Sequence, residues 1–274
     1  MKYETLHGVQ VPKIGFGTWK VGGDTHADHS KDKVSLIALR AALEIGYSHF
    51  DTAEYYASGH AEELIGTALK ETGAKRESIF ITSKVSPPHL HYEDVLKSCE
   101  NSLRRLETDY LNLYLIHWRN PHIELEDTFR ALNRLVREGK VKHLGVSNFK
   151  LKYLKKAQGY SETHLLTNQV PYRLPDSEYV ENGVLDYCQH NDILLTAYSP
   201  LKFRDLKVNK TIQTIADAHQ ASSAQIALAW LIAQPRVITI PMSLNPNHIA
   251  ENFAAAEIQL SPSEMGQLSS LYQR

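Results

Sequence analysis

At 274 residues the chain is long enough for one large domain or two small ones, and its 42% hydrophobic and 22% charged content is that of an ordinary globular protein. A formal net charge of -1 gives no reason to expect nucleic acid or an anionic membrane as a partner. No apolar run approaches the roughly 18 residues of a membrane span, MKYETLHGVQVP lacks the apolar core of a secretory leader, and Cys99 and Cys188 are too few for a disulfide framework. A cytoplasmic protein with reduced thiols is expected.

The opening ETLHGVQVPKIGFGTW predicts a short hairpin around His7-Gly8, then a first strand near Ile14 to Thr18. Apolar runs rich in β-formers follow at YSHFDTA, SIFITSKV, LNLYLIHW, HLGVSN, LLTNQV, ILLTAYSP and VITIPMS, which makes eight strands. Helical periodicity fills the gaps. Val34, Ile37, Ala38 and Ala41 mark one helix, and Leu64, Ile65, Ala68 and Leu69 the next, beginning near Ala61. Val95, Cys99, Leu103 and Leu106 share a face, which assigns Cys99 to the core. Phe129, Leu132, Leu135 and Val136 share another, stopped by Gly139. Ser222 with Gln225 and Ser261 with Glu264 have the spacing of capping boxes, and Pro235 closes the helix that Ser222 opens.

Strands alternating with helices imply a parallel sheet, and eight of each favour a closed (β/α)8 barrel, here with an N-terminal β-hairpin. An open doubly wound sheet would carry G-x-G-x-x-G after its first strand. Gly15-Phe16-Gly17-Thr18-Trp19-Lys20 lacks the third glycine. No Pro- or Ser-rich linker divides the chain, so residues 1–274 are read as one domain.

Barrel chemistry gathers at the carboxyl ends of the strands, and here almost every strand ends in a polar group. Asp51, Ser83-Lys84, His117-Trp118, Ser147-Asn148, Asn168-Gln169, Tyr198-Ser199 and Met242-Ser243 hold those places. Singly, Asp51 is a turn former, Tyr56 a packing residue, Lys84 a solvated strand end and His117 a core histidine. Together at one mouth they make a general acid and its tuning groups. A phenol near pKa 10 is lowered by an adjacent ammonium, Asp51 holds that ammonium, and a neutral imidazole steers a carbonyl. No G-x-S-x-G, H-E-x-x-H or C-x-x-C occurs and the 14 histidines are scattered, so neither a nucleophile nor a metal site is expected. A barrel isomerase or aldolase with Lys84 as a Schiff-base nucleophile is a rival reading.

The residues IGFGTW, FDTAEYYASGHAEELIG, ITSKV, YLIHW, GVSNF, TNQV, AYSPL and IPMSLNPNHIAEN closely resemble the aldo-keto reductases, in order and over nearly the whole chain. The resemblance implies NAD(P)H-dependent reduction of aldehydes and ketones on a (β/α)8 barrel. It maps a catalytic tetrad onto Asp51, Tyr56, Lys84 and His117, with Tyr56 as proton donor and Tyr55 left to pack or line the mouth. It gives Ser147, Asn148 and Gln169 to the nicotinamide carboxamide, Tyr198 to the ring, and Ser199 and Leu201 to the pyrophosphate. Ser243, His248, Glu251 and Asn252 fall to the adenosine end. Thr18 and Trp19 join the cofactor site with Asp51, and Trp19, Tyr56, His117 and Trp118 form the substrate site.

Three departures stand out. Met242 and His248 replace a lysine and an arginine that favour NADPH, so NADH use is expected beside NADPH unless Lys202 and Arg204 compensate. Ala57 replaces the usual glycine after the catalytic tyrosine, with little consequence expected. The chain stops soon after LSPSEMGQLSSLYQR, where longer relatives cover the pocket, and Trp118 to Glu126 is short. An open mouth, a small aldehyde or ketone as partner, and a monomer are expected. Some members of this family are channel-associated or lens proteins, so a nucleotide sensor is the other rival.

Overall fold

The computed structural model describes residues 1–175, 178–203 and 206–273. Strands β1 (Tyr3–Leu6) and β2 (Val9–Pro12) pair antiparallel across a turn in which His7 and Gly8 both have positive φ, as a tight hairpin requires. Eight parallel strands follow: β3 (Phe16–Gly17), β4 (His49–Asp51), β5 (Phe80–Val85), β6 (Leu111–Ile116), β7 (Val141–Ser147), β8 (Thr167–Pro171), β9 (Leu194–Tyr198) and β10 (Val237–Thr239). They are ordered β3 through β10 without a crossover. Ile14 bridges in parallel to Thr239, and Gly15 N donates to Thr239 O at 2.8 Å, which joins the two ends of the sheet into a closed barrel.

Between the strands run α1 (Asp32–Ile45), α2 (His60–Thr72), α3 (Tyr92–Arg105), α4 (Leu125–Arg137), α5 (Leu151–Tyr160), α6 (Glu178–Glu181), α7 (Val184–His190), α8 (Lys210–Ala218), α9 (Ser223–Ala233), α10 (Pro246–Ala254) and α11 (Pro262–Ser269). Both capping boxes form, at Ser222–Gln225 and Ser261–Glu264. Cys99 is fully buried on α3, as its helical face implies. One helical face differs from expectation. Val34 and Ile37 are 41% and 43% exposed, and α1 instead buries Ser35, Ala38, Leu39 and Ala42. The buried stripe runs one residue further round the helix.

Period-two alternation sets the barrel interior. Phe80, Leu113, Leu194 and Ile238 cluster with Leu6 and Val11 of the hairpin, which plugs the amino-terminal end. Above them lie Thr82 bonded to His49, and Thr167 bonded to Thr196. Gly145 sits here because a Cβ would fall 2.6 Å from Leu115 Cδ2 and 2.8 Å from Thr167 O. The next inward positions are Asp51, Lys84, Ser147, Gln169 and Tyr198, at the carboxyl end. Among the described residues, no helix is long and apolar enough to cross a membrane.

Candidate active site

Lys84 is fully buried at the end of β5. Its three ammonium protons have three acceptors: Asp51 Oδ1 at 2.5 Å, Thr52 O at 2.7 Å and the Tyr56 hydroxyl at 3.3 Å. The second Asp51 oxygen accepts from Gln169 Nε2 at 2.7 Å, so the carboxylate spans the barrel from β4 to β8. Burial pulls the Lys84 ammonium down, but Asp51 and Tyr56 outweigh it and leave Lys84 above the ordinary lysine range. Burial pushes the Asp51 carboxyl up against the pull of Lys84 and Gln169. With the two 2.5 Å apart, Lys84 is held charged.

Tyr56 sits at the start of the turn between β4 and α2, half-buried. Burial raises its phenol above the ordinary value, Lys84 pulls it back, and Asp51 adds to the rise. The expectation of a net lowering is therefore corrected. Lys84 acts downward as foreseen, but loss of water around the ring outweighs it. The turn itself is unusual: Ala57 and Ser58 have φ of 51° and 54°, and Gly59 follows at 94°. Ala57 N donates to Asp24 O at 2.8 Å and Ser58 Oγ to Thr25 O at 2.9 Å, tying the turn to the segment after β3. Ala57 thus stands in a left-handed conformation that glycine adopts without penalty.

His117 ends the inward row of β6. Its ring lies edge-on to Tyr56, with centroids 5.7 Å apart, and stacks on Trp118 at 3.9 Å. Burial first, and then the Lys84 charge, lower it to about 2, so the imidazole is neutral. Its Nδ1 is buried without a partner.

A cavity of about 420 Å³ opens above these groups. Asp51, Tyr56, His117, Ser147 and Gln169 reach its floor, and Thr18, Trp19, Trp118, Tyr198, Ser199, Leu201, Lys202 and Met242 its walls. Tyr55 also lines it, parallel to Trp19 with ring centroids 6.3 Å apart. Asn148 is one step back: its Nδ2 donates to His117 O and its Oδ1 accepts from the Tyr198 hydroxyl at 2.9 Å. Ser243, His248, Glu251 and Asn252 do not line this cavity. They lie beyond Met242, on the segment after β10 and on α10, with His248 and Glu251 exposed and Asn252 buried. Arg204 lies outside the described residues.

The wall from Ser147 to Tyr198 suits a nicotinamide. The Ser147 hydroxyl and the Gln169 amide are polar partners for a flat carboxamide, the Tyr198 ring stands beside them, and Asn148 is bonded behind them to Ser147 and the Tyr198 hydroxyl. Sequence reasoning missed the buried Glu62, whose Oε1 accepts from Ser83 Oγ at 2.5 Å and whose Oε2 pairs with Arg105 at 2.6 Å. Arg105 in turn packs beneath Gly59, where a Cβ would meet its Nε at 2.5 Å. The available signal was a glutamate among the apolar positions of α2.

Comparison with known proteins shows the family. The model of the aldo/keto reductase family matches residues 13–273. The chain is 39% identical over 270 residues to methylglyoxal reductase YeaE of Escherichia coli, covering 96% of this chain and 92% of that one. Among solved structures, the thermostable aldo-keto reductase Tm1743 superposes with a TM-score of 0.95 at 45% identity, covering 99% and 100% of the two chains. An aldo-keto reductase from Klebsiella pneumoniae in complex with NADPH superposes at 0.88 with 39% identity, covering 99% and 96%. The chain belongs to the aldo/keto reductase family, oxidoreductases that reduce carbonyl groups to alcohols by hydride transfer from a nicotinamide dinucleotide.

Proposed function

We propose that this chain is an NADPH-dependent reductase of small reactive aldehydes and ketones, with 2-oxoaldehydes such as methylglyoxal as its substrate class. The observation that carries the reading is the buried Lys84 ammonium between Asp51 and the Tyr56 hydroxyl, beneath a cavity lined by aromatic rings. Likeness to a methylglyoxal reductase supports the substrate class. So does the exposure of Trp118 and Tyr55 at the mouth, 41% and 44%, which leaves the pocket open.

Bound NADPH supplies the hydride that reaches the carbonyl carbon. Neutral His117 orients the carbonyl from the pocket floor. Tyr56 gives its phenolic proton to the carbonyl oxygen as negative charge develops there. A phenol kept above its ordinary pKa stays protonated at neutral pH, yet remains a stronger acid than the alcohol it creates. Lys84 stabilises the phenolate left behind, and Asp51 fixes Lys84 in position. Solvent returns the proton to Tyr56.

Ser147, Asn148 and Gln169 hold the carboxamide, Tyr198 the ring, Ser199 and Leu201 the pyrophosphate, and Ser243, His248, Glu251 and Asn252 the adenosine end. Thr18 and Trp19 complete the cofactor wall, and Trp19 and Trp118 flank the substrate. Met242 offers no cation to the 2′-phosphate and His248 stands where relatives have an arginine, so NADH serves as a second reductant. The enzyme works as a cytoplasmic monomer, with residues 1–274 as one domain.

The test is loss of nicotinamide absorbance on adding methylglyoxal, run with NADPH and NADH side by side. Turnover with both, faster for methylglyoxal than for bulky ketones, supports the proposal. Tight cofactor binding without turnover across a carbonyl panel would make the barrel a nucleotide sensor.

A further inference from the structure

We infer that His29, Asp32 and His60 form a binding site for one zinc ion on the flank of the barrel, outside the reductase pocket. The histidines are scattered in sequence, but folding brings two of them onto one carboxylate. One ligand atom from each of the three residues lies within 4.8 Å of the others. Asp32 bridges the pair, with Oδ1 2.7 Å from His60 Nε2 and Oδ2 3.2 Å from His29 Nδ1.

The surroundings of His60 suit a metal ligand as well as a hydrogen-bonded pair. Its Nδ1 lies 2.8 Å from Glu63 Oε2, the carboxylate partner that metal-ligating histidines usually have on the nitrogen away from the ion. A neutral imidazole has one N–H. If Glu63 takes it, Nε2 presents a lone pair to an Asp32 oxygen at 2.7 Å, a contact that needs positive charge between the two atoms. A second proton can supply that charge, and so can a cation.

Zinc bonds to imidazole nitrogen at about 2.0–2.1 Å and to carboxylate oxygen at about 2.0–2.2 Å, which puts tetrahedral ligand atoms roughly 3.3 Å apart. His60 and Asp32 need only spread slightly. The His29 side chain, 74% exposed, is free to swing inward. Three protein ligands leave the fourth position to water. Two imidazoles and one carboxylate select zinc over magnesium or calcium, which prefer all-oxygen sites. Asp32 and Glu63 also offset the positive ends of α1 and α2, where the site lies.

The ion would join the start of α1 to the start of α2. His60 directly follows the Ala57–Gly59 turn, so the clasp fastens the segment that carries Tyr56 without touching the reacting groups.

Metal-stripped full-length protein titrated with zinc chloride by calorimetry tests the site, with thermal unfolding as a second readout. One ion per chain and a raised Tm are expected, with no response to magnesium chloride. His29→Ala is expected to weaken uptake at least about tenfold and leave carbonyl reduction unchanged, while His60→Gln abolishes uptake and the Tm rise. If His60→Gln fails to fold, His29→Ala and the partly exposed Asp32→Asn decide the matter. Absence of saturable uptake near one equivalent overturns the proposal, as does uptake that survives these substitutions.

Discussion

The Lys84 ammonium lies 3.3 Å from the Tyr56 hydroxyl and has no solvent exposure. Everything proposed for the reaction follows from that relationship, because a buried cation at hydrogen-bond range favours the phenolate over the phenol. The cost of burying Lys84 is met by Asp51 at 2.5 Å. Removing one member of such a pair leaves the other uncompensated.

Lys84→Met is therefore expected to destabilise the fold by about 3–5 kcal/mol, because Asp51 keeps its burial and loses its partner. Adding Asp51→Asn is expected to restore much of that loss while carbonyl reduction stays absent. Urea unfolding of both variants checks this. Equal destabilisation in single and double variants would show that Asp51 is not the unpaired charge.

His49 and His117 make a prediction about acid stability. Burial, followed by the Lys84 charge, lowers His49 to about 3 and His117 to about 2. A histidine whose folded pKa is depressed stays neutral in the native barrel, while the unfolded chain takes up a proton near 6.5. Its contribution is complete above 6.5 and is lost as pH falls from 6.5 toward those values. Each group contributes a slope of up to about 1.4 kcal/mol per pH unit. Urea midpoints of wild type and His49→Gln between pH 6 and 4 isolate one of them, because the buried carboxyl groups are common to both. The wild type is expected to lose stability more steeply; parallel curves would contradict the assignment.

Ala57 occupies a left-handed conformation at φ 51°. That geometry costs a non-glycine residue about 1–2 kcal/mol, and glycine returns about 0.5–1 kcal/mol of it through the entropy of the unfolded chain. Ala57→Gly is expected to gain about 0.5–1 kcal/mol in urea unfolding. A loss of stability would mean that the Ala57 methyl packs usefully.

Met242 lines the cavity on the side toward α10. A lysine there would place a cation within reach of a 2′-phosphate, and Met242→Lys is expected to raise the NADPH-to-NADH affinity ratio about tenfold, or ~1.4 kcal/mol. Competing titrations of the two dinucleotides measure it. An unchanged ratio would place the 2′-phosphate elsewhere, with Lys202 an alternative on the cavity wall.

Much of this molecule is legible in the chain because its signals are local. Alternation in FITSKV and LNLYLIH turns Lys84 and His117 inward, and the strand count with its missing third glycine separates barrel from open sheet. What escaped depends on three dimensions. Val34 and Ile37 are apolar on a helical period yet face solvent, because the stripe that packs is chosen by the neighbouring elements. The upward shift of Tyr56 reflects burial that no sequence window reports. Glu62 meets Ser83 and Arg105 across three elements, and His29 meets His60 only when α1 and α2 lie side by side.

The most direct measurement is single-turnover hydride transfer to methylglyoxal by Tyr56→Phe saturated with NADPH. A loss of roughly 10²–10⁴-fold in rate is expected, the usual contribution of a positioned acid, with cofactor affinity nearly unchanged. A wild-type rate in that variant would contradict it, because the proton would then reach the carbonyl oxygen from another group.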